Sequence, residues 1–171
     1  MRLKILFYTI CIILFLLLQS TLLDYIRIYN VIPNLLVVFT ILTALLKGNI
    51  EGGAVGFSAG FVLDVMSGKL LGLYTLLGMY LGIAVGSVNK RLYRENLLVV
   101  VSFTFVFSTV YELAVYILNT IMSGNMDLYF PLMRIILPEA TYNSLASVFI
   151  YALLLRMDRR IEEKIKATHK Y

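Results

Sequence analysis

Apolar residues run along this chain in long blocks, separated by short polar clusters. The first block lies at Ile5–Leu18 behind Arg2 and Lys4, and each later block ends at a turn-forming or charged group such as Lys47-Gly48-Asn49 or Ser67-Gly68-Lys69. Blocks of this length predict helices that cross a lipid bilayer, at about 20 residues per span. We read six spans, at about 5–23, 33–47, 51–67, 70–88, 96–121 and 134–155, and a basic tail over 156–171. The first resembles a secretory leader, but Gln19-Ser20-Thr21 makes a poor cleavage site and more spans follow, so an uncleaved helix is expected. The second is short from Leu35 to Leu46, and either begins earlier or is matched by local bilayer thinning.

The most patterned stretch reads GGAVGFSAGFVLDVMSGKLLG over 52–72. Steps of four fall on Gly52, Gly56, Gly60, Asp64, Gly68 and Gly72, which a helix places on one face. The next span repeats the device at Gly78, Gly82 and Gly86. In water each glycine would weaken a helix by about 1 kcal/mol relative to alanine. In lipid, small residues let two backbones approach closely. The two glycine rows therefore predict a close antiparallel helix pair, with Asp64 and the Ser67-Gly68 turn at its end.

Composition narrows the class. The chain has 171 residues, of which 60% are hydrophobic and 15% charged, and a mean hydropathy of +0.87. That excludes a soluble domain and leaves no room for one beside the spans. A lone cysteine, Cys11, permits no internal disulfide and no metal cluster. Twelve of the fifteen Lys and Arg fall on the side of the termini in a six-span arrangement. Positive residues collect on the cytoplasmic side, so both termini are expected there. Read by position, the net charge of +5 is a topology signal and not a nucleic-acid signal.

Candidate chemistry is sparse. There is no phosphate loop, nucleophile elbow, HExxH or zinc spacing, and His169 lies in the tail, so no catalytic residue, metal or cofactor is expected. Glu112 lies near the middle of the fifth span, where an ionised side chain costs about 2.5–3.5 kcal/mol. Ser108, Tyr116 and Asn119 share its face. Such a stripe suits a proton, ion or ligand site, a buried subunit contact, or an internal network that fixes helix register. On the sixth span Glu139, Asn143 and Ser147 share a face, with Arg134 just before them. Glu139 is expected to pair with Arg134, and Asn143 to reach Glu112 or Asp64. In the tail Met157, Ile161 and Ile165 recur every four residues among six cations, which predicts an amphipathic helix on anionic lipid.

With these residues in view, the chain resembles the rod shape-determining protein MreD family. The resemblance rests on Pro33-Asn34 and on the Gly-Phe-x-x-Gly-x-x-x-Asp-x-x-Ser-Gly-x-x-x-Gly pattern from Gly56 to Gly72, with support from Glu112 and Asn143. It implies a non-enzymatic scaffold of the bacterial cell-elongation machinery in the inner membrane, an all-α six-helix bundle similar to the substrate-binding components of energy-coupling-factor transporters. The implied partners are MreC, the MreB filament, RodA and a class B penicillin-binding protein, together with membrane lipids. Homodimerisation stays open. The partner or ligand contacts it points to are Asp64, Ser67, Gly68, Glu112, Arg134, Glu139 and Asn143. The alternative is a vitamin-binding component of such a transporter, although residues 5–18 lack the small residues with which those components dock.

Overall fold

The structure is a computed structural model and describes residues 2–25, 31–68, 72–88, 96–123 and 129–168. These residues are helical almost throughout. The helices are α1 (Arg2–Tyr25), α2 (Leu35–Lys47), α3 (Asn49–Ser67), α4 (Leu73–Val88), α5 (Leu97–Ser123) and α6 (Leu137–Thr168). A helical turn at Tyr129–Pro131 and a π-helical segment at Leu132–Ile136 lead directly into α6. The basic loop expected at 89–95, Lys69, and the side chains of the tail from 158 onward lie outside the described residues.

Three helices are long and apolar enough to cross a membrane, with windows at Lys4–Thr21, Asn49–Ser67 and Leu97–Ile121. The helices α2 and α4 are apolar but shorter. In α6 the inward-facing Asn143, Ser144 and Ser147 dilute the apolar character. Large side chains such as Ile5, Ile10, Phe61, Val110 and Phe149 stay exposed around the bundle, as expected of a surface solvated by lipid tails.

The short second helix is explained by its position. Every residue of α2 from Leu35 to Leu46 is buried, and Leu36, Val38, Phe39, Ile41 and Leu42 are wholly inaccessible. It touches all five other long helices and forms the axis of the bundle. A helix enclosed by protein need not match the bilayer, so neither an earlier start nor local thinning is required. Asn34 caps its N-terminus, its Oδ1 accepting from the Val37 N–H at 3.3 Å. Around the axis, Phe15 of α1 lies against Phe39 with ring centroids 5.2 Å apart.

The helices α3 and α4 form the most extensive pair in the molecule. Their glycine rows face each other in antiparallel order: Gly52 meets Gly82, Gly56 meets Gly78, and Gly60 meets the backbone of Tyr74 and Thr75. A Cβ added at Gly56 would lie 2.7 Å from the carbonyl carbon of Gly78, and one at Gly78 would lie 2.5 Å from the Gly56 oxygen. Gly86 sits against the backbone of Gly48 and Asn49. Backbone thus meets backbone along the whole seam.

Candidate functional site

Polar side chains gather toward the end of the bundle where α2, α4 and α6 begin and α3 ends. Asp64 ends the glycine face of α3 and is 1% exposed. Its Oδ1 accepts from the Tyr74 N–H at 2.9 Å and its Oδ2 from the Thr75 N–H at 2.9 Å, and the Thr75 hydroxyl donates to Oδ2 as well. The first amides of a helix have no partner within it and carry the positive end of its dipole. A carboxylate supplied by the neighbouring helix answers both needs. Asp64 therefore fastens the start of α4 to the end of α3, with both oxygens engaged inside the protein. Gly68 closes α3 in the left-handed conformation, φ 60°, its N–H donating to the Asp64 carbonyl at 3.1 Å. Ser67 Oγ donates to the same carbonyl at 3.1 Å.

A second network joins α2, α5 and α6. Asn143, fully buried, accepts from the Asn34 backbone N–H at 2.7 Å and donates through Nδ2 to Ser108 Oγ at 2.5 Å. Asn34 Nδ2 in turn donates to Glu112 Oε1 at 3.4 Å. Gln19 of α1 adds an acceptor for the Leu35 N–H at 3.2 Å. Glu112 and Glu139, both half-buried, lie close enough across the α5–α6 contact for each carboxyl to act on the other. Tyr74 of α4 and Asn119 of α5 lie close to each other, and Asn119 Nδ2 donates to the Val115 carbonyl at 2.9 Å. The hydroxyl of Tyr111 is buried here without a partner.

Two expected pairings take a different form. Glu139 meets Glu112 and not Arg134, which is exposed and holds its guanidinium over the Phe130 ring at 5.3 Å. Arg134 and Glu139 are five residues apart, a spacing that an α-helix does not place on one face. Asn143 reaches neither Glu112 nor Asp64 directly. Ser108 and Asn34 stand nearer, and Asn34 is the link to Glu112. Of the network residues, Gln19 and Thr75 carry no expectation in the sequence, and Asn34 enters it only through the Pro33-Asn34 pair. Asn34 carried a readable signal, since an asparagine after proline and before an apolar run is an N-cap.

At the opposite end Lys4 Nζ bonds Glu51 Oε1 at 2.8 Å, and the Tyr8 hydroxyl donates to the other oxygen of the same carboxylate. In the sequence Glu51 reads as an ordinary first-turn acid, and only the assembled bundle brings Lys4 and Tyr8 to it.

Among the described residues no three His, Cys, Asp or Glu side chains converge as metal ligands. The polar groups chiefly hold helices to one another. If so, Asn143→Ala strands the Asn34 N–H and the Ser108 hydroxyl, and should destabilise the bundle by about 2 kcal/mol. Thermal unfolding in detergent measures this, and an unchanged midpoint would show that the network carries no stability.

An all-helical membrane protein, closed by backbone-to-backbone packing and internal polar ties, is the class that fold and site define. The family model for rod shape-determining protein MreD matches residues 1–160, and the chain belongs to that family. Its role accordingly lies in rod-shape determination, as a structural protein and not as an enzyme of a known kind. No curated protein and no solved structure matches the chain.

Proposed function

We propose that the chain is a six-span scaffold of the elongation machinery, in the inner membrane with both termini cytoplasmic, and that it binds the transmembrane helix of MreC. One observation carries this reading. The helices α1 and α3 stand apart and leave a lateral groove of about 390 Å³, lined by Ile5, Thr9 and Ile13 on one side and Ala54, Ser58 and Phe61 on the other. The stretch from Ala54 to Val62 gives the groove about 12 Å of length, two helical turns. Its small residues permit the close approach by which membrane helices associate, and MreC is expected to bring a single apolar helix. Through MreC the scaffold would act with MreB, RodA and the class B penicillin-binding protein. Family membership gives the vitamin-transporter alternative no support.

Filling the groove should separate binding from folding. Ala54 and Ser58 are exposed, so Ala54→Leu and Ser58→Leu should leave the bundle intact and reduce recovery of MreC at least tenfold in pull-downs from native membranes. Undiminished recovery would move the contact elsewhere. A transporter ATPase pair in the eluate in place of MreC would overturn the scaffold reading.

A further inference from the structure

The two walls of the lateral groove are built differently. Helix α3 turns the small residues Ala54 and Ser58 toward it, whereas α1 contains no glycine or alanine from Arg2 to Tyr25 and meets the bundle through bulky side chains. The packing of α1 is mainly against α2, where the rings of Phe15 and Tyr8 lie 5.2 and 6.2 Å from that of Phe39. Toward its other end Gln19 accepts from the Leu35 N–H at 3.2 Å. Helix α1 is thus the wall with the least protein behind it.

One carboxylate joins this wall to the other. Lys4 and Tyr8 stand one turn apart on α1 and share the face toward Glu51. Each takes one oxygen of that carboxylate, Lys4 at 2.8 Å. Glu51 lies in the first turn of α3, three residues before Ala54, so the bridge sits about 4.5 Å along the helix from the start of the groove. Tyr8 belongs to both features, since its hydroxyl bonds Glu51 and its ring lines the groove. The side chains of Lys4 and Glu51 are 38% and 31% exposed, so the bridge spans the groove's mouth and is not sealed in the core. An ion pair in that position adds little to overall stability, but it fixes the separation of two helices that pack little on each other.

We propose that Glu51, with Lys4 and Tyr8, is a positioning clamp that holds α1 at the width admitting a single apolar helix, a role that rests on the groove being the MreC site. A partner helix then meets a wall already in place. Without the clamp only a fraction of the molecules has the right width, and the apparent affinity falls by that fraction.

Spin labels at Leu6→Cys and Ile50→Cys, both exposed and outside the groove lining, report the α1–α3 separation in the full-length protein by double electron–electron resonance, with Cys11→Ser removing the native thiol. The distance distribution should be narrow with the clamp intact, broad in Glu51→Ala, and intermediate in Tyr8→Phe, which loses only the hydroxyl. Without labels, Glu51→Ala should lower MreC recovery about fivefold if about one molecule in five keeps the right width, while its unfolding midpoint stays near wild type. Joining Lys4→Cys to Glu51→Cys with a short bis-maleimide should restore the recovery that the unjoined pair lacks. An unchanged distribution in Glu51→Ala would overturn the clamp. A broadened distribution with full recovery, or a bridge that restores nothing, would overturn its part in docking. Full recovery by Ala54→Leu and Ser58→Leu would instead remove the groove as the MreC site and leave the distance result standing, so the two failures are told apart.

Discussion

Gly56→Leu is expected to prevent the bundle from folding, while Ala54→Leu on the neighbouring helix face leaves it intact. The new Cβ would fall 2.7 Å from the Gly78 carbonyl carbon and 2.9 Å from Thr40 Cγ2, and the Gly78 backbone cannot swing aside as a side chain can. Overpacking an interior that can adjust costs about 1–3 kcal/mol. Here the obstacle is a helix backbone, and leucine adds three further carbons beyond its Cβ. We expect a loss at or above that range, a large part of the 5–15 kcal/mol that typically holds a protein folded. Gly56→Ala should fall between wild type and leucine. Size-exclusion profiles and thermal midpoints in detergent measure the series. A monodisperse Gly56→Leu protein with a wild-type midpoint would show that α3 and α4 can part without consequence.

Asp64→Ala should come next in severity. It leaves two buried amides and the Thr75 hydroxyl with no acceptor at the start of α4. A buried donor left unpaired costs about 1–3 kcal/mol, so about 3–5 kcal/mol is expected for the group, since water can reach part of a loosened helix end. Asp64→Asn keeps one acceptor oxygen but turns an amide toward donors, so partial loss follows. Thr75→Val removes only the hydroxyl and should cost about 1 kcal/mol. The order Ala, Asn, then Thr75→Val is the test. A harmless Asp64→Ala that also lost MreC would move Asp64 from the architecture to a binding surface.

How much of this could be read from the chain depends on whether the partner is close in sequence. The glycine rows are legible because both lie on consecutive helices, and four-residue spacing alone fixes their faces. Asp64 is legible as a feature but not as a tie, since its partners Tyr74 and Thr75 depend on how α3 and α4 are set against each other. The hydropathy of α2 looks like that of a short span exposed to lipid, because apolar side chains face protein and lipid tails equally well. Burial on every side emerges only from the assembled bundle. Glu139 shows the same limit. Sequence proximity favours Arg134 as its partner, yet the arginine lies exposed over the Phe130 ring, and Glu112 of another helix takes its place beside Glu139.

The enclosed axis helix has a consequence for the order of synthesis. The ribosome delivers α2 after α1 and before the other four helices that cover it, α3 to α6. The acceptor for the Asn34 amide at its cap is Asn143, 109 residues downstream on α6. While α3 to α6 are being made, then, the centre of the bundle waits in lipid or in the translocation machinery with its cap unpaired, and an element made before most of its neighbours is among the last to be locked.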